Sequence, residues 1–238
     1  MNSKFYFAGR CSEEFGLVIE NCPVYQSAKK RIEKIYVPGR NGELVFDTGA
    51  YENTVQEYDI WFKGTQSGLT EIAKKISSWL LCQKGYQLLE DDYDTEIYRQ
   101  AIYEGPVEIA NWLLKRGRAT IHFQCKPQRF LKTGNEAIIV TAPQTLYNPY
   151  MPTLPLLKIY GRGSGAVVVG NTTVSIENIS EFIVLDSEVQ NAYKGTQNQN
   201  NNIRLSNYQF PELQTGENKI AFSGGITKIE IIPRWWLL

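Results

Sequence analysis

The stretch that most restricts what this chain can fold into is its last one, FPELQTGENKIAFSGGITKIEIIPRWW, from Phe210 to Trp236. Ile220 and Phe222 ahead of Gly224-Gly225, and Ile229 and Ile231 behind it, fall on one side of an extended backbone, with Lys228 and Glu230 opposed. Alternation at a period of two on both sides of a glycine pair predicts a β-hairpin with one buried face. Gly216 and Asn218 stand where the chain must turn into the first of these strands, and Pro233 ends ladder pairing before the Trp235-Trp236 pair.

The same punctuation runs through the chain. FYF and FGLVIE, split by Gly9 to Ser12, predict two short strands. Ile32 to Val37 is β-branched or aromatic, Pro38-Gly39 suits the centre of a type II turn, and Asn41-Gly42 offers positive φ before Leu44, Val45 and Phe46. Two turn signals so close together predict a protruding hairpin tip. Tyr58, Ile60 and Phe62 alternate with Glu57, Asp59 and Trp61, which leaves Trp61 exposed or at an interface. Ile121, Phe123 and Cys125 alternate with Thr120, His122 and Gln124.

Helical spacing is convincing only once. Leu69, Ile72, Ala73, Ile76, Trp79 and Leu80 recur at three- and four-residue intervals, with Ser67 near the N-cap and Gly85 past the end, so a helix is expected over about Gly68 to Lys84. GYQLLEDDYDTEIYRQA reads as a hairpin around an acidic turn. Prolines and asparagines crowd Lys132 to Pro155 around one short strand, Ala137 to Thr141, which predicts the passage between two domains, 1–131 and 132–238, with the alternative that the last residues, IPRWWLL, pack back onto the first. LPLLKIY, AVVVGNTTVSI with Gly170-Asn171 as a two-residue turn, and EFIVLD are strands, and GTQNQNNN from Gly195 is a polar loop. The fold class expected is mainly β, in two sandwich-like domains, the first carrying one packed helix.

At 238 residues a two-domain reading is ordinary, and 25 basic against 25 acidic residues leave no net field to hold a polyanion, which argues against nucleic-acid binding. The first residues, MNSKFYFAGRCSEEFG, cannot make a signal-peptide core, and no apolar run approaches the roughly 20 residues of a membrane span. Cys11, Cys22, Cys82 and Cys125 are too widely spaced for a CxxC pair and are read as free thiols. The cluster Glu90, Asp91, Asp92, Asp94 and Glu96 fails as a calcium loop, because Ile97 and Tyr103 stand where a glycine and a bidentate acid belong; a solvated tip is expected. GRGSGA matches a dinucleotide fingerprint in spacing, but a strand pattern follows it where a helix is required. His122 is the only histidine and is read as a surface residue. No catalytic, metal or cofactor-binding residues are assigned, and an enzyme is not expected. Tyr193, Tyr208, Trp235 and Trp236 are candidates for stacking on sugar rings or packing on a partner.

In order, FAGRCSEEFGLVIE, VPGRNGEL, YEN, SSWL, GYQLLEDDYDTEIYRQA, HFQCKPQRF, LPLLKIYGRGSGAVVVGNTTVSI, FIVLDSE and GENKI with IPRWW resemble the distal tail protein (Dit) family of long-tailed bacteriophages. The likeness covers nearly the whole chain and rests on the order of motifs. It implies a hexameric ring of N-terminal domains, alone or paired back to back, joining the tail tube protein to the tail-tip or baseplate proteins and lining the DNA channel. It also implies a galectin-like or carbohydrate-binding-module-like second domain, and a place at the virion tail tip after assembly in the host cytoplasm. Receptor-binding protein or cell-wall carbohydrate would be outer partners; the short Gly195 loop leaves no room for a large inserted arm. Within this picture Pro38, Gly39, Arg40, Asn41 and Gly42 are the expected ring contact. The alternative is a free-standing carbohydrate-binding protein that recognises the host surface.

Overall fold

The computed structural model describes residues 3–63, 66–106, 110–112 and 116–238, without the side chains of 63, 66, 67, 69, 110–112 and 116. The chain divides into two compact units, Met1–Arg129 with Leu238, and Phe130–Leu237.

The first unit contains β1 (Phe5–Phe7), β2 (Arg10–Cys11), β3 (Val18–Ile19), β4 (Lys30–Ile35), β5 (Leu44–Tyr51) and β6 (Thr54–Lys63). Helix α1 (Gln66–Leu81) follows, then β7 (Gln87–Asp91), β8 (Ile97–Ile102), β9 (Ala110–Trp112) and β10 (Arg116–Leu131). Its main sheet has the order β2-β1-β7-β8-β10-β6-β3, with β9 also on β10. Alternation places Tyr58, Ile60, Phe62, Ile121, Phe123 and Cys125 inside, as their spacing predicts, and leaves Trp61 half-buried. Helix α1 lays Ile76, Trp79 and Leu80 on that core, with Ile72 partly covered. Trp79 stacks on Phe15 at 4.4 Å and donates from its indole to the Phe7 carbonyl at 3.2 Å, so the helix is fixed in direction as well as depth. The helix stops earlier than its spacing suggests, because the Gln83 side chain takes the Trp79 carbonyl at 3.0 Å. Ser67 and Leu69, expected at its start, have side chains outside the described residues.

The second unit contains β11 (Ile138–Val140), β12 (Gln144–Asn148), β13 (Leu156–Val169), β14 (Thr172–Asp186), β15 (Asn191–Lys194), β16 (Gln197–Asn198), β17 (Ile203–Leu205), β18 (Gly216–Ile232) and β19 (Trp236–Leu237). The expected hairpin at Gly224-Gly225 is absent: β18 is one strand of 17 residues that pairs with β13 along its length. Its glycines lie opposite those of GRGSGA, which is likewise interior to a strand. A Cβ on Gly225 would stand 1.8 Å from the Arg162 carbonyl oxygen, and one on Gly161 2.4 Å from the Gly225 oxygen. The glycines therefore permit two bent strands to touch backbone to backbone. A register shift between Gly161/Ile226 and Tyr160/Lys228 moves the buried side from Ile220 and Ile226 to Ile229 and Ile231. That one-residue slip imitates a hairpin in the sequence pattern.

The bend gives the long strands different neighbours at their two ends. β18 pairs with β12 through its first half and β11 through its second, and β14 pairs with β17 and then β15. Thus the Lys132 to Pro155 stretch, expected as a passage, supplies two strands of the second sheet. The Gly195 tract is no loose loop either: the Asn200 side chain accepts from Ala192 N–H at 2.6 Å, and Asn198 donates to Asn191 at 3.0 Å. Short amide side chains that can bond neighbouring backbone build local structure without any apolar core. Gly170-Asn171 is the two-residue turn expected, with Val169 opposite Thr172.

Candidate interaction site: the exposed arm and its root

β4 and β5 form a two-stranded sheet of their own. Arg40 N–H bonds to the Val37 carbonyl at 3.2 Å with Gly39 at φ 81°, which is the type II turn that Pro38-Gly39 calls for; Gly42 is also at φ 81°. From residue 29 to residue 49 only Val37 is other than exposed. The register sets Ile35 opposite Leu44 and Glu33 opposite Phe46 on one face, and Lys34 opposite Val45 and Ile32 opposite Asp47 on the other. Both faces therefore carry large apolar groups to solvent, including Tyr36 at 74% and Phe46 at 59% exposure. Lys34–Glu43 at 3.3 Å and the close Lys30–Asp47 pair bridge the two strands. Each partner steadies the charged form of the other: Asp47 raises the Lys30 ammonium, and Lys30 lowers the Asp47 carboxyl. Surface pairs of this kind contribute little. An isolated two-stranded ribbon is marginal in water, and one with apolar residues on both faces lacks the packing that would make it stable.

The arm is held at its root by hydrogen bonds, chief among them those to the buried Asp91. Glu20 N–H bonds to the Asp59 carbonyl at 2.8 Å, and Tyr25, in the segment that leads into β4, donates its hydroxyl to Asp91 Oδ1 at 2.9 Å. Asp91 is 4% exposed and also accepts from Tyr58 at 2.8 Å and from the Tyr93 and Asp94 N–H groups. The Arg99 guanidinium lies 3.8 Å from its other oxygen and 4.8 Å from the Tyr25 ring centre. Burial, then the neighbouring carboxylate, pushes both the Tyr25 and Tyr58 phenols up, so both stay hydrogen-bond donors. Asp91 is thus the correction to the acidic turn: Asp92 and Glu96 are exposed, but Asp91 is an internal acceptor. Its local bonds to the Tyr93 and Asp94 N–H groups are those of any turn aspartate, and what sets it apart comes from Tyr25, Tyr58 and Arg99.

The other expected residues are scattered. Pro38 to Gly42 form the exposed arm tip. Tyr193 is half-buried on β15 opposite Val184, and Tyr208 is 96% exposed in a turn. Trp235 is 8% exposed, and Trp236 is half-buried with its indole N–H on the Pro152 carbonyl at 3.0 Å. His122 Nδ1 faces Glu57 at 3.0 Å on the surface. All four cysteines are free; burial pushes the Cys125 thiol up to about 12. Among the described residues, no group of His, Cys, Asp and Glu is arranged to hold a metal, and no helix is long and apolar enough to cross a membrane.

The fold, a mainly β chain of two units with one helix in the first, is shared with solved structures of phage tail proteins. The structure of SPP1 Dit (gp 19.1), described as a paradigm of the hub adsorption apparatus in Gram-positive infecting phages, superposes with a TM-score of 0.79. The match covers 97% of this chain and 98% of that one at 10% identity. A chain of the phage P2 baseplate in its activated conformation matches with a TM-score of 0.50 and 11% identity, over 97% of both chains. At such identities the likeness is one of fold. Neither a protein-family model nor a curated protein sequence matches the chain.

Proposed function

We propose that this protein is a structural hub of a phage tail, closing into a hexameric ring between the tail tube protein and the tail-tip or baseplate proteins, with DNA passing through the centre. The observation that carries the reading is the fold shared with SPP1 Dit over nearly the full length of both chains. The arm supports it: exposed apolar residues on both faces of a ribbon require a cover, and a neighbouring copy in a ring supplies one at every position. In such a heterologous ring each copy gives one surface and receives another, so the arm of one copy and the body of the next form a repeating contact. A formal charge of zero suits a conduit through which a polyanion slides without being held. The role is mechanical, its place is the virion tail, and receptor-binding proteins attach outside the ring.

Light scattering and negative-stain microscopy of the purified protein, with and without tail tube protein, test this reading. Six-fold rings are expected under one condition or both. Monomers alone at tens of micromolar, with tube protein present, overturn it.

A further inference from the structure

We propose that Asn41 is a site of spontaneous covalent modification: in the free chain its side-chain amide is lost as ammonia, and the arm tip gains a carboxylate. Asn41-Gly42 is the one Asn-Gly pair in the sequence. Both residues are exposed, at the end of an arm that itself faces solvent. Among the described residues, neither the Asn41 amide nor the Gly42 N–H has a hydrogen-bond partner. Gly42 lies at φ 81°, and a Cβ there would meet nothing within 4 Å, so no neighbouring group crowds its nitrogen.

The reaction needs only this chain and water. Hydroxide takes the Gly42 amide proton, the bared nitrogen attacks the Asn41 side-chain carbonyl carbon, and the new N–Cγ bond closes a succinimide ring. The Cγ–Nδ2 bond breaks, and the leaving nitrogen takes a proton from water and departs as ammonia, which restores the hydroxide. Water then opens the ring at either carbonyl, giving aspartate or, with the main chain rerouted through Cβ, isoaspartate. Nothing is oxidised or reduced. Nucleophile and carbonyl are tethered in one dipeptide, so the attack has the advantage of proximity, and glycine leaves the nitrogen uncrowded and the backbone free to turn. Other asparagines lack these conditions. Asn148 is buried, donates to the Met151 and Leu213 carbonyls and precedes a proline, which has no N–H to attack with. Asn218 is buried and donates to the Gln214 carbonyl at 2.7 Å. Asn53 donates to the Tyr86 hydroxyl at 3.2 Å and precedes the β-branched Thr54. The product alters the tip in two ways. Arg40 is the sole charge from Pro38 to Gly42, so the new carboxylate cancels it. Isoaspartate also adds a methylene to the main chain between Ile35 and Leu44, which the register sets opposite each other. Ammonia does not return, so an unassembled chain carries a record of its age.

Peptide mapping of the full chain tests the site, after incubation at about pH 7 and about pH 9 at a dilution where light scattering gives a monomer. Cleavage after Arg40 and Lys63 yields the peptide 41–63, which holds Asn41 and, as an internal reference, Asn53. Electron-transfer fragmentation should place an amide-to-acid mass gain on Asn41, with isoaspartate among the products. The gain should form at least about tenfold faster than at Asn53, and faster at the higher pH. Gly42→Ala puts a methyl beside the attacking nitrogen and should slow it at least about fivefold, a modest rise in the barrier. Asn41→Gln should show no gain at that position. An unmodified Asn41 overturns the proposal. So does a rate no greater than that at Asn53, or one that Gly42→Ala leaves unchanged. The ring is judged on assembly and this site on the monomer, so either reading can fail while the other stands.

Discussion

Single residues in this protein are constrained by contacts far along the chain. Gly225 has its strongest constraint in the carbonyl of Arg162, where a methyl would stand at 1.8 Å, inside any permissible contact. Gly225→Ala should therefore cost roughly 3 kcal/mol, because the obstacle is backbone in a paired strand. Gly42→Ala meets nothing within 4 Å and has only its φ of 81° to oppose it, so it should cost about 1 kcal/mol. Urea unfolding of the two variants checks the contrast, and equal losses would remove the close-approach explanation. Asp186 and Arg234 make a second long-range pair, with Nη1–Oδ1 at 2.7 Å and Nη2–Oδ2 at 2.9 Å. Burial pushes the Asp186 carboxyl up, but the hydrogen bonds and charge of Arg234 outweigh it, leaving the group below its usual 3.8. A lowered folded-state value means that the stabilisation is present above 3.8 and is lost as pH falls through the lower folded value. Arg234→Met should cost about 2 kcal/mol near pH 7 and much less near pH 2. A loss independent of pH would show that the arginine acts through packing alone.

At the scale of elements, the arm is the part whose stability and function should separate. Arg40 lies at its exposed tip, so Arg40→Glu should shift stability by no more than about 0.5 kcal/mol. Phe46→Ser, on an exposed face of the ribbon, should likewise leave the melting temperature near the parent's. Both should reduce ring yield if a neighbouring copy covers the arm, since a reversed charge or a lost apolar anchor in a packed contact costs several kcal/mol of association. Normal melting with normal assembly would remove the arm from the interface. Early melting would show that these side chains are covered within their own chain. The root behaves oppositely: Tyr25 and Asp91 sit in a buried network whose loss leaves an unpaired acceptor, so damage there belongs to folding.

For the molecule as a whole, the chain divides into Met1–Arg129 with Leu238 and Phe130–Leu237, each with buried residues of its own. A fragment of residues 1–131 should therefore express as a folded protein with one cooperative unfolding transition. A fragment without that transition, beside a full chain that has it, would place the folding boundary elsewhere.

Local chemistry determined much of this protein from sequence alone. The alternation of Tyr58, Ile60 and Phe62, the spacing of Ile76 and Leu80, and the Pro38-Gly39 turn depend on backbone geometry within a few residues, and each appears as written. The tertiary structure decided what one strand cannot know about another. A glycine pair is as compatible with a turn as with a close crossing, and only Gly161 to Gly165 on β13 settles Gly224-Gly225 as the latter. An aspartate in an acidic run looks solvated until Tyr25, Tyr58 and Arg99 arrive around it. The edge of β14 lies open between β17 and β15 because of how three strands pair, which no single stretch of sequence records.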